Sequence, residues 1–143
     1  MQVTLAVLAD YANVSREGKL NIMGIFGQVR AARVPAQHPA MKLVVRIEGA
    51  PAELDREHKI EIRCMEPDGD DVFKIEGEFT LQRPPGAGGG AAIAADHIVG
   101  INNLTFRTFG GHTFSVFIDN DLKAQVPLEL VKVEPRPPML PGT

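Results

Sequence analysis

Residues 71 to 83 read DVFKIEGEFTLQR, and apolar and polar positions alternate along them. Phe73, Ile75, Phe79 and Leu81 fall on one parity; Lys74, Glu76, Glu78, Thr80 and Gln82 fall on the other. A period of two predicts a half-buried antiparallel strand, because successive side chains leave a strand on opposite faces. Gly77 lies on the inward parity, which predicts a bulge or a large neighbour packed on bare backbone. The run before it, HKIEIRCM, places Ile60, Ile62 and Cys64 inward. Between the two runs, Pro67-Asp68-Gly69 has the residues of a tight turn, since proline presets φ and glycine accepts a positive φ. Residues 58 to 82 are therefore predicted to form one hairpin.

The same alternation predicts further strands. MKLVVRIEG sets Leu43, Val45 and Ile47 inward against Lys42, Arg46 and Glu48. HTFSVFIDN sets Phe114, Val116 and Ile118 against Thr113, Ser115 and Asp119. AQVPLELVKV sets Val126, Leu128 and Leu130 on one face. Pro127 has no N–H to give, so this strand is expected at an edge, or with the N–H side of Pro127 free. VTLAVLA and LNIMGIF are apolar on both parities, which predicts strands covered on both faces. SREG between them suits a tight connection, with Gly18 in the left-handed region. At the end of the first strand, Asp10, Tyr11 and Asn13 read as punctuation: short polar side chains bonding nearby backbone, and an aromatic ring covering the end of the core.

Two stretches lack alternation. RPPGAGGGAAIAAD predicts a flexible glycine-rich loop, residues 84–96, and EPRPPMLPGT predicts a proline-rich tail over 135–143. PAELDREHK supplies one helical turn at most. The expectation is an all-β single domain over 1–134: an antiparallel β-sandwich of jelly-roll, immunoglobulin-like or C2-like type, with about eight strands and little helix. A closed barrel is the alternative.

Composition changes this picture mainly by exclusion. The net charge is −3, without the basic footprint of a nucleic-acid binder. Cys64 is the only cysteine, so no internal disulfide calls for an oxidising compartment. The first apolar run has no basic region before it and is too short to span a bilayer, so the expected location is cytoplasmic and no transmembrane segment is expected.

Candidate chemistry is sparse. His38, His58, His97 and His112 are too widely spaced for a local metal motif, and no cofactor is expected. Asp68, Asp70 and Asp71 in one loop, and Asp119 and Asp121 in another, are weak candidates for a calcium site, provided that the two loops converge. GAGGG lacks the lysine and hydroxyl of a phosphate loop, and Ser15 and Ser115 lack the context of a nucleophile.

LADYAN, followed by GKLNIMGIFGQV, VPAQHP, LVVRIEG and NLTFRTFGGHTFSVFIDN…VPLELV, resembles an uncharacterised prokaryotic domain-of-unknown-function family of short all-β proteins. The likeness runs over roughly residues 3 to 133, and the LADYAN…GKLNI block is its specific part. It implies the fold class and no catalytic or ligand residues. It also gives Asp10, Tyr11 and Asn13 a second reading, as a docking epitope. The functional expectation is a non-enzymatic sandwich that binds another protein, or another copy of itself. A calcium- or ligand-dependent module is the alternative. An enzyme comes third, and would need a pocket with paired titratable groups, such as His97 or His112.

Overall fold

The computed structural model describes residues 1–86 and 92–135. Nine strands make up the fold among the described residues: β1 (Gln2–Val14), β2 (Leu20–Ile25), β3 (Gln28–Ala31), β4 (Ala36–Gly49), β5 (Glu57–Met65), β6 (Asp71–Thr80), β7 (Ile93–Phe106), β8 (Gly110–Ile118) and β9 (Asp121–Lys132). They form two sheets, ordered β2-β1-β4-β7 and β3-β9-β8-β5-β6. The sheets stack as a sandwich and do not close into a barrel. A single 3₁₀ turn, Pro51–Glu53, carries the chain from β4 to β5.

The predicted hairpins form as expected. In the β5–β6 turn, the N–H of Gly69 donates to the Glu66 carbonyl at 2.9 Å, and Gly69 has φ +94°. Gly18 has φ +80° in the β1–β2 turn. Asp119 and Asn120 take φ of +50° and +70° in the two-residue β8–β9 turn, the conformation that matches the twist of the flanking strands.

Alternate residues of the strands meet between the sheets. Leu8, Leu43, Val45 and Ile47 from one sheet pack with Ile62, Cys64, Phe114, Val116, Leu128 and Leu130 from the other. Full removal of such side chains from water contributes about 1.5–3 kcal/mol each, and this holds the layers together.

Several expectations need correction. Residues 93–96, assigned to the flexible loop 84–96, are the start of β7. An unbroken register pairs Ile93 with Gly49 and Asp96 with Arg46. The Asp96 carboxylate accepts two hydrogen bonds from Arg46, at 2.7 and 3.2 Å, which locks this end of the ladder. Residues 87–91 of that loop and 136–143 of the tail lie outside the described residues. The strands number nine among the described residues because β3 and β7 add to the seven runs named from the sequence; β3 pairs with β9 in parallel, so the sandwich is not wholly antiparallel.

The ladder runs straight through Gly77, opposite Ile60, and the β5–β6 irregularity falls instead between Cys64 and Met65. Ile75 is exposed because β6 is an edge strand. β9, in contrast, is internal. Its Pro127 is accommodated because β3 pairs only with Glu129–Lys132 and ends before reaching it. The Glu129 N–H donates to Gly27, so the imino nitrogen of Pro127, two residues earlier, points toward the same side, past the end of β3.

Candidate functional site

The opening block builds a surface that the sequence pattern alone does not locate. β1 pairs with β4 up to Ala9 and with β2 from Ala9 onward, so residues 10–25 form a hairpin extending past the β1–β4 ladder. β2 is a sheet edge. Cross-strand neighbours share a face, and here Tyr11 stands opposite Met23, Ala9 opposite Ile25, and Asn13 opposite Asn21. Leu8 belongs to the core, so the odd-numbered residues of this stretch face outward. Met23 is 65% exposed, Ile25 63% and Tyr11 51%. Strands apolar on both parities were expected to be covered on both faces; on this parity Ala9 is fully buried, whereas Tyr11, Met23 and Ile25 stand exposed.

Two of the three residues singled out in the opening block have local roles as well. Asn21 Nδ2 donates to Asn13 Oδ1 at 2.9 Å, tying the two strands together on the exposed face. Asp10 faces the other way, against Gly24, where any side chain would run into its carboxylate; Gly24 also has φ +71°. Tyr11 is the member of the trio that presents apolar surface outward. Met23 and Ile25 complete the patch. Their signal in the sequence was the uncharged run LNIMGI.

The two acidic loops do not converge. β5 pairs Met65 with Thr113 near one end and Ile60 with Ile118 near the other. The Asp68–Asp71 turn and the Asp119–Asp121 turn therefore lie at opposite ends of the sheet, separated by about 20 Å of strand. Glu66, Asp68 and Asp70 do gather, with carboxylate oxygens within 4.8 Å of one another. Two of the three carboxylates have a protein partner: Asp68 Oδ1 accepts the Asp70 N–H at 3.1 Å, and Arg107 Nε stands 3.0 Å from the buried Glu66 carboxylate; the Asp70 main-chain carbonyl accepts the Glu66 N–H. This is a capped turn with one ion pair. Three carboxylates also fall short of the six to eight oxygens that calcium takes.

Asp119 instead serves His58. His58 Nδ1 and Asp119 Oδ2 are 2.7 Å apart, and Asp119 Oδ1 accepts the Lys59 N–H at 2.9 Å. Burial works against the charge on Asp119, but these donors outweigh it and hold the carboxyl below its usual range. The His58 ring packs against Phe79 at 5.6 Å, and His97 meets the same phenyl ring edge-on at 5.1 Å. Burial pushes the His97 pKa down, with Asp96 opposing more weakly. His112 is buried, with Nδ1 3.1 Å from the Gly110 carbonyl and its ring against Phe106.

A groove of about 570 Å³ runs between the edge strands β6 and β7, where Val72, Phe73 and Ile75 face Ile101 and Leu104. Arg107 is the one ionisable side chain among its described lining residues, and neither His97 nor His112 reaches it.

A family model for DUF6941, a family of unknown function, matches residues 4–131. The chain belongs to that family. The match takes in all nine strands of the DUF6941 chain except the outermost residues of β1 and β9, and it includes the whole β1–β2 hairpin. A search of curated proteins finds no match. Among solved structures, the DUF6941 chain is similar to an immunoglobulin-like protein from Pseudomonas aeruginosa, at 18% identity and a TM-score of 0.39, over 91% of this chain and 95% of that one.

Proposed function

We propose that this protein is a non-enzymatic β-sandwich that acts by binding protein, and that the partner its surface fits is a second copy of itself. The observation that carries this reading is the exposed group Tyr11, Met23 and Ile25 on a free sheet edge. Edge strands in soluble proteins are commonly blunted by charge. β6, another edge, follows that rule with Asp71, Lys74, Glu76 and Glu78, whereas β2 (Leu20–Ile25) has no charged residue. Two copies of a chain with net charge −3 repel at long range, so a contact between them is favoured where the surface is neutral. A strand edge is also self-complementary under a two-fold axis: β2 meets β2 of the second copy antiparallel, and the three apolar side chains flank the seam. Removing each from water contributes on the order of 1–2 kcal/mol.

The non-enzymatic part draws on the groove, whose described lining brings together no pair of titratable groups, and on the engagement of both ring nitrogens of the buried His58 by Asp119 and the Glu53 carbonyl. A cytoplasmic location belongs to the same proposal, resting on a lone cysteine that needs no oxidising compartment. Sedimentation of the wild type beside a Met23→Glu/Ile25→Glu variant tests the reading. The expected result is a wild-type dimer and a folded, monomeric variant, with association weakened at least tenfold. Equal mass for the two proteins at every concentration would contradict it, and so would loss of the fold in the variant, which would make the patch structural.

A further inference from the structure

We propose that His58 is a doubly protonated clasp, and that loss of one proton releases the Pro51–Arg56 crossover between β4 and β5. With Asp119 ionised, the observed contacts fit one protonation state. His58 is buried, and both ring nitrogens meet acceptors: Nδ1 lies 2.7 Å from Asp119 Oδ2, and Nε2 lies 2.7 Å from the Glu53 carbonyl oxygen. A carbonyl has no proton to give, and Asp119 is held ionised by its own donors. Each nitrogen must therefore supply the hydrogen, which makes the ring an imidazolium.

The surroundings are mixed in charge. Asp119 faces the ring from the β8–β9 turn and Glu53 from the 3₁₀ turn, while Arg56 opposes the charge from the approach to β5. Phe79 of β6 covers the ring, with His97 of β7 behind it. Lys59, next along β5, spends its N–H on Asp119. The Glu53 carboxylate is engaged by the Met1 amino group and the Ala50 N–H. Burial is the strongest influence and disfavours the charge, yet the Glu53 carbonyl and Asp119 together raise the His58 pKa above its ordinary value.

When the ring loses a proton, the one that stays is on Nδ1, opposite the ionised Asp119. Nε2 then presents a lone pair to the lone pairs of the Glu53 carbonyl, and that contact fails. The turn it holds carries Leu54, which plugs this end of the core against Gly49, close to Leu81. Alkaline pH thus loosens the Pro51–Arg56 crossover first and leaves the strands in place.

The test is long-range proton–nitrogen NMR of the histidine rings in the full chain between pH 6 and 9, with hydrogen exchange at Leu54 and Asp55 and with an Asp119→Asn variant. At pH 7 both His58 nitrogens should show the protonated signature, and exchange at Leu54 and Asp55 should climb with pH more steeply than intrinsic exchange does. Asp119→Asn should shift the His58 titration to lower pH. A neutral His58 tautomer at pH 7 in the wild type would overturn the proposal, as would a titration that Asp119→Asn leaves unmoved.

Discussion

Cys64 shows how position decides chemistry for a single side chain. It is wholly buried in β5 between the sheets, and burial, aided by Glu66, pushes its pKa up to about 12. A thiol is nucleophilic only as the thiolate. We therefore expect a disulfide reagent at pH 8 to leave the native protein unmodified and to label it stoichiometrically in denaturant; rapid labelling of the native state would contradict the burial. The contributions of His58 and Asp119 to stability depend on pH in opposite directions. The pKa of His58 is raised in the fold, so its contribution is complete below about pH 6.5 and fades as pH rises through the folded value. The pKa of Asp119 is lowered, so its contribution is complete above about pH 4 and fades as pH falls through the folded value. The stability difference between wild type and Asp119→Asn should therefore peak between about pH 4 and 6.5, at about 1–2 kcal/mol for lost hydrogen bonds to charged groups. Urea unfolding across pH measures it, and a difference independent of pH would refute the assignment.

At the scale of elements, hairpins were legible because their determinants are local. Alternation in β5, β6, β8 and β9, with turn residues at Gly69 and at Asp119-Asn120, places each strand and its register within a short stretch of chain. β7 was not legible. Its inward parity, Ile93, Ala95, His97, Val99 and Ile101, is matched by an outward parity with Ala94, Ile98 and Gly100, so no period stands out, and its beginning follows a glycine run. What orders it is the ladder to β4, a partner some fifty residues away at Arg46 and Asp96. β3 is four residues long and pairs in parallel with β9 across about 100 positions, which no local pattern announces. The site divides in the same way. Tyr11 was visible as an oddity of the opening block, and the uncharged β2 run as an apolar strand. The His58–Asp119 pair, separated by 61 residues, was invisible. Of the aspartates in the two acidic loops, Asp68 caps its own turn and Asp119 serves His58. Accordingly, millimolar calcium should leave the thermal midpoint unchanged; a clear upward shift, abolished by Asp68→Asn, would show that the Glu66–Asp70 turn takes the ion.

For the whole molecule, the two sheets share one core, and the chain crosses between them five times. Such a body has four sheet edges. β6 is charged, β7 faces β6 across the groove, and β3 is only four residues long and lies beside the crossing at Phe26 and Gly27. β2 remains as the neutral, apolar edge, at the tip of a hairpin that runs past the ladder of its neighbour. Self-association there would extend the four-stranded sheet into one of eight and would leave the groove and the His58 clasp untouched. The most direct test is the mass of the wild-type protein by light scattering over a wide concentration range. The account predicts a mass that rises from one chain to two and levels off there. A mass of one chain at every concentration would contradict it.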